Sequence, residues 1–236
     1  MVGDSLAPVL SQQLLLSVAE QLKIPLLQIA RQAEHGRITN TADLERIQST
    51  ADAALRLIDN YALGVRLNLE QDLLQLEPVS VSSVLYDSGQ ELTALARNYG
   101  VDLELHIGGR YSTVMANRHG LQSALVSLGA SLIEALPALE VPQLKLQLAA
   151  HRCRYGIVAG LYSETEQLTA EALRNGRKLV GASRQPLGAV SHTAGAGVFV
   201  ADAILKAMNL ELKVSRHNRL YGLGTVLQTN HQLQLI

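Results

Sequence analysis

Between Leu14 and Ala33 the chain reads LLLSVAEQLKIPLLQIARQA. Its apolar residues Leu15, Ala19, Leu22, Leu26, Ile29 and Ala33 recur at alternating intervals of four and three. That spacing is the seam of a helix that lies along another helix. Pro25 falls inside the pattern. It removes one backbone donor and crowds the preceding turn, at about 3 kcal/mol unless neighbours absorb a kink. Gly36 to Thr39 reads as a turn, with Asn40 or Thr41 as the next N-cap. Leu44, Ile47, Ala51, Ala54, Ile58, Tyr61 and Val65 then repeat at the same alternating spacing. Two heptad helices joined by a short loop make an antiparallel hairpin, from about Ser5 to Asn68. A lone hairpin leaves much of its seam wet and is poorly stable. A second copy across a two-fold axis completes a four-helix bundle, so the sequence predicts a homodimer.

The 236 residues suffice for one large or two small domains with real cores. Hydrophobic residues make up 47% and aromatics only 3%, so the core is expected to be aliphatic. A net charge of −1 gives no electrostatic case for nucleic acid or an anionic membrane. The single cysteine, Cys153, cannot form an internal disulfide, which points to a reducing compartment. No run of about 18 apolar residues reads as a membrane span, and no basic stretch precedes an apolar core as in a signal peptide. A cytoplasmic location is the expectation.

From Glu77 the period changes. Val79 and Val81 suggest a short strand, and Ser82 to Tyr99 a helix closed by Gly100. Val101–Ile107 alternates as a strand, Gly108-Gly109 turns, and Tyr111–Met115 is a second strand. Asn117 caps a helix carrying Leu121, Ala124, Leu125, Leu128, Leu132 and Ala135, stopped by Pro137. Leu144–Leu148 and Tyr155–Leu161 form a strand hairpin, and Ser163–Asn175 is polar and helical in part. Gly176–Ala194, rich in Gly, Ser, Arg and Pro, reads as a long mobile loop. A helix over Gly197–Asn209 follows. The last strands are Leu210–Val214 and Gly224–Leu227, with Asn218–Tyr221 turning between them. The expected organisation is α+β: a helical hairpin over 1–69, then over 70–236 an α/β sandwich of mostly antiparallel strands with about three helices on one face.

This order resembles the transmitter core of sensor histidine kinases over about residues 10–230. Ser17-Val-Ala-Glu-Gln-Leu-Lys-Ile-Pro-Leu26 is similar to the phosphoacceptor box, with Leu22, Pro25 and Leu26 matching and Lys23 standing for Arg. Glu77–Val81 and Gly100-Val-Asp-Leu resemble the entry to the ATP-binding domain, and Asn117–Leu136 its asparagine-box helix. Gly195-Ala-Gly-Val-Phe-Val-Ala-Asp-Ala-Ile204 resembles the second glycine box, and Gly222-Leu-Gly-Thr-Val226 the closing strand. The resemblance implies a dimeric four-helix bundle followed by an ATPase domain of the histidine-kinase (Bergerat) type. It also implies a response-regulator receiver domain or a partner histidine kinase as binding partner.

The departures from that pattern carry the functional expectation. The phosphoacceptor histidine aligns with Glu20, and a carboxylate cannot form the stable phosphoramidate of an imidazole. Glu20 reads either as a loose imitation of a phosphorylated state or as a solvated helix residue. Gln21 replaces the family's acidic base. The two box asparagines align with Ser127 and Ser131, whose hydroxyls are shorter and weaker ligands for Mg²⁺. After the strand at Ile157–Leu161 stands Ala159-Gly-Leu-Tyr-Ser-Glu-Thr165, with no aspartate for the adenine amino group. Gly195 and Gly197 remain, read either as a phosphate cradle at a helix N-terminus or as tight helix packing. Arg177, Lys178 and Arg184, with Arg174 and His192, are the side chains that could meet phosphates.

His35 reads as the end of the first helix, there either to complement the dipole or as a displaced acceptor. The other histidines show no metal spacing and fall on strands, turns and loops. Cys153, between Arg152 and Arg154, is more readily an inert strand residue than a reactive thiol. No catalytic residue and no metal site is expected. The favoured function is a pseudokinase acting by dimerisation and protein binding, with no cofactor. The alternative is a divergent kinase or phosphotransferase that keeps ATP and Mg²⁺.

Overall fold

The computed structural model of the chain describes residues 7–41, 43–70, 74–135, 145–164 and 194–229. Helix α1 (Ala7–Thr39) and helix α2 (Leu44–Glu70) form the hairpin. Helix α1 runs unbroken through Pro25 and also through Gly36, so the expected turn at Gly36–Thr39 is instead the last turn of the helix. The reversal comes later, opening at Asn40 with a positive φ of 56°. Asn tolerates that left-handed conformation better than most residues. The following helix starts at Leu44, with the Ile47 N–H donating to the Asp43 carbonyl.

The expected heptad seam is buried only in part. Pro25 and Gly36 are buried, while Ala19, Leu26 and Ala33 are exposed. On α2 the buried residues are Thr50, Ala54, Leu57, Tyr61, Gly64 and Leu67. They too are spaced by threes and fours, but only Ala54 and Tyr61 belong to the expected seam. Leu26, Leu44, Leu55 and Ile58 instead present an apolar stripe outward, Leu26 being 58% exposed.

The second part is a sheet with helices on one face. Strand β1 (Glu77–Val79) pairs antiparallel with β3 (Val114–Ala116) as a small separate ribbon. The five-stranded sheet holds β2 (Asp102–Ile107), β4 (Lys145–Cys153), β5 (Gly156–Ser163), β6 (Lys213–His217) and β7 (Leu220–Leu227), in the order β2-β4-β5-β7-β6. Only β2 and β4 run parallel. The long second strands differ from the expected bounds because the β6–β7 turn is two residues, Asn218 and Arg219, both left-handed. Such a turn matches the twist of the flanking strands and lets pairing begin at once.

Helices α3 (Val81–Asn98), α4 (Arg118–Ala135) and α5 (Ala194–Ala207) cover the sheet. Ser80 caps α3, its Oγ accepting from the Ser83 N–H. At the other end Gly100 takes a left-handed φ of 67° and Val101 N–H donates back to the Ala96 carbonyl. That is the ending a glycine makes easy. Asn117 caps α4 as its position suggests, its Oδ1 accepting from the Gly120 N–H at 2.9 Å. The inward residues Leu146, Leu148, Ile157, Ala159, Leu161, Leu223 and Leu227 meet Leu85, Leu92, Leu121, Leu128, Phe199 and Ile204 in one aliphatic core.

The hairpin seats on α5. Gly64 lies so near Val200 that a Cβ would stand 3.2 Å from its backbone and its methyls. The Leu74 N–H donates to the Ala207 carbonyl, pinning the chain after the hairpin to the end of α5.

On the outer face of the sheet, Gly160, Gly222 and Gly224 form a bare strip on β5 and β7. The Tyr162 ring lies over it, fully buried. A Cβ at Gly222 would overlap the Leu161 carbonyl oxygen. Gly222→Ala is therefore expected to destabilise the fold by about 1–3 kcal/mol, the usual cost of overpacking. Gly100→Ala, where open space surrounds the missing Cβ, should lose only about 1–2 kcal/mol from its left-handed backbone. Urea denaturation of the two variants checks both.

Candidate functional site

Three of the buried polar residues of the helical layer lie on one stripe of α4. That helix is apolar nearly all round, yet Ser127, Ser131 and Glu134 follow at intervals of four and three and share a face. Ser127 is 3% and Ser131 1% exposed, and neither hydroxyl has a hydrogen-bond partner among the described residues. The first turns of α5 close over them. A Cβ on Gly197 would overlap both Ser131 Oγ and the Ser127 carbonyl oxygen. Gly197 thus serves close helix packing. Gly195 belongs to the same first turn of α5.

The structure therefore brings Ser127, Ser131 and Gly197 into direct contact, from sequence positions some seventy residues apart. It tests whether they suit a nucleotide-bound Mg²⁺. That ion wants near-octahedral oxygen ligands and keeps several waters. Two short hydroxyls pressed against a helix backbone leave no such shell, so these described residues do not fit it. Among the described residues no group of three or more His, Cys, Asp or Glu is arranged to hold a metal ion. Thr225, from the closing-strand motif, is also buried with its Oγ1 unpartnered, against Leu121, Ala124 and Ala201.

The other candidates are dispersed. Glu20 and Gln21 fall within α1, where only their backbone is described. Arg177, Lys178 and Arg184, with Arg174 and His192, lie outside the described residues. His35 is exposed one turn before the end of α1, not at its end, because the helix continues through Gly36. Its carbonyl accepts from the Thr39 hydroxyl at 2.8 Å. Cys153 closes β4, half-buried, with the Tyr155 N–H donating to its Sγ.

The histidines are less scattered than their sequence positions suggest. His119 sits on α4 rather than on a strand, turn or loop. His106 of β2, His151 of β4 and His217 of β6 come together on the outer face beside Tyr162. The His151 and His217 rings stack with centroids 4.6 Å apart, and His106 Nδ1 lies 2.8 Å from His217 Nε2. Asn218 Nδ2 lies 3.1 Å from the same nitrogen. The two rings share one proton across the 2.8 Å contact, one nitrogen donating and the other accepting. The signal in the sequence was alternation: each histidine occupies an outward position of its strand. What sequence could not supply was the sheet order that gathers them.

The order and arrangement of these elements give the fold found in histidine kinases. The histidine kinase AdeS of Acinetobacter baumannii superposes with a TM-score of 0.51 at 12% identity, over 89% of this chain and 98% of that one. Full-length ShkA, solved in complex with AMPPNP, superposes with a TM-score of 0.53 at 13% identity, over 98% of this chain and 47% of that one. No family model and no curated protein matches the sequence. Among the described residues, no helix is long and apolar enough to cross a membrane.

Burial lowers the pKa of His151, and burial with the neighbouring His151 and His106 charges lowers that of His217. A folded pKa below the unfolded one means that the unfolded chain takes up protons first. The contribution of the cluster is thus complete above the ordinary histidine range near 6.5 and is lost as pH falls below it. Two imidazolium ions would also leave the 2.8 Å contact with two donors and no acceptor. His217→Gln should therefore lower the melting temperature relative to wild type less at pH 5 than at pH 7.5, as measured by calorimetry at both values.

Proposed function

We propose that this protein is a histidine-kinase-like pseudokinase of two-component signalling, working by dimerisation and protein binding. The observation that carries this reading is the closure of α5 over Ser127 and Ser131. The faces that would have to hold a metal-bound triphosphate are in van der Waals contact with each other. Glu20 at the phosphoacceptor position, unable to form a phosphoramidate, supports the same reading. We read 1–69 as the dimerising hairpin and 70–236 as the ATPase-like unit.

The outward apolar stripe supports a second copy as the partner. Leu26, Leu55 and Ile58 are exposed, and the heptad residues that do not serve the hairpin itself lie on this surface. A two-fold axis along it would bury them twice over. The assembled bundle would offer its polar flanks to a receiver domain or to an active kinase.

The alternative, a divergent enzyme binding ATP and Mg²⁺, takes its support from the basic residues Arg177, Lys178 and Arg184. A valine at Gly197 does not separate the two readings, since any side chain there unseats α5 from α4. Calorimetric titration with ATP and Mg²⁺ does. The pseudokinase predicts no heat up to millimolar nucleotide and no phosphate incorporation from labelled ATP. A dissociation constant below about 100 μM, roughly −5.5 kcal/mol, would favour the enzyme.

For the dimer, sedimentation equilibrium should give twice the chain mass at micromolar concentration. Leu26→Asp should weaken association about a hundredfold or more, given about 1.5–3 kcal/mol per buried leucine on each of two copies. A wild-type monomer at micromolar concentration would overturn the dimer.

A further inference from the structure

The α4 stripe of Ser127 and Ser131 ends in Glu134, one residue before the helix does. Its carboxylate is 9% exposed, and Oε2 has no hydrogen-bond partner among the described residues. It faces a cavity of about 20 Å³, room for one water molecule. The walls come from both parts of the chain: Pro25 and Gln28 of α1, Thr50 and Leu57 of α2, and Asn98 with Tyr99 at the C-terminal end of α3. Glu134 therefore sits in the joint where the hairpin seats on the α/β layer.

Nothing described around it compensates a negative charge. Helix α1 brings an amide, Gln28. Helix α2 brings Tyr61 and α3 brings Tyr99, both of them acids. Their pKa values are raised by burial and then by the Glu134 charge. Helix α5 carries its charged pair, Asp202 and Lys206 at 2.6 Å, toward the opposite end of α4. Among the described residues no Lys, Arg or His lines the cavity. The C-terminal end of α4 adds the negative pole of its dipole.

We propose that Glu134 is a protonation switch in this joint: as the neutral acid it lets the hairpin close against the α/β layer beside its seat on α5, and as the carboxylate it loosens that closure. Burial raises its pKa from the ordinary 4.5 to about 8. The docked state therefore holds a proton that the released state gives up. Docking is fully favoured below pH 4.5, weakens as pH rises through the window up to about 8, and changes no further above it. One linked proton corresponds to about a tenfold loss in the docking constant per pH unit within that window.

The test uses the full chain with Cys153→Ser and two labelled cysteines, Ile38→Cys on the hairpin and Glu104→Cys on β2. The labelled chain is diluted into excess unlabelled chain so that only distances within one molecule are read. Single-molecule energy transfer should give one docked distance at pH 6 and a growing longer-distance population towards pH 8.5. Glu134→Gln should keep the docked distance throughout. An unchanged distribution in the parent protein, or the same pH response in Glu134→Gln, overturns the proposal. Should Glu134→Gln not fold, infrared titration of the parent decides. Its buried protonated-carboxyl band must vanish over the pH span in which the distance changes, and loss of coincidence overturns the switch.

Discussion

The distance between α4 and α5 is set by the missing side chain at Gly197, and both halves of the molecule depend on it. With no Cβ, the α5 backbone rests on the Ser127 carbonyl and the Ser131 side chain. That brings Val198, Phe199, Ala201 and Ile204 into the common core. One turn further along the same helix Val200 meets Gly64, so a second glycine contact carries the hairpin. Close backbone approach of this kind gains many small dispersion contacts and tolerates little change in volume. Helix α5 thus makes two glycine contacts one turn apart, one with α4 and one with the hairpin.

A helix as apolar as α4 has no packing use for Ser127, Ser131 and Glu134. A buried polar group without a partner costs about 1–3 kcal/mol, more for a charged one. Departures of this sort from a fold's own packing rules gather at binding and switching sites. The three lie on one face and meet two different neighbours, α5 above the serines and the hairpin beside the glutamate.

Much of this was legible in the sequence, and the failures have physical reasons. The heptads located both hairpin helices, because a three-four period survives whichever neighbour covers it. It could not say which face the chain buries against itself, and Leu26 proves exposed where Pro25 is buried. Gly36 was read as a turn because glycine is a helix breaker on its own, but inside a packed helix it is simply a small buried residue. Asn117 and Gly100 declared their helix ends, since caps depend on local chemistry, whereas Val81, expected on a strand, begins α3 behind the Ser80 cap. The contact of Gly197 with Ser131 and the gathering of His106, His151 and His217 depend on topology. Glu134 stood in plain view as a lone acid on the Ser127–Ser131 period. An acid near a helix end is ordinarily solvated, so its burial does not show in the sequence.

The single parallel pairing in the sheet has a consequence for how the chain assembles. Asp102 of β2 meets Lys145 of β4 only across the whole of α4, whereas β4–β5 and β6–β7 close through turns of two residues. Closing a long loop carries an entropic cost that must be met before any pairing rewards it. The two strand hairpins and the helical hairpin can form early and independently. The joining of β5 to β7, which pairs Ser163 with Tyr221 across α5, closes a longer stretch still, so by the same entropy the middle of the sheet is harder to close than its β2 edge, and two separate strand hairpins with open inner edges are what an immature chain would show its neighbours.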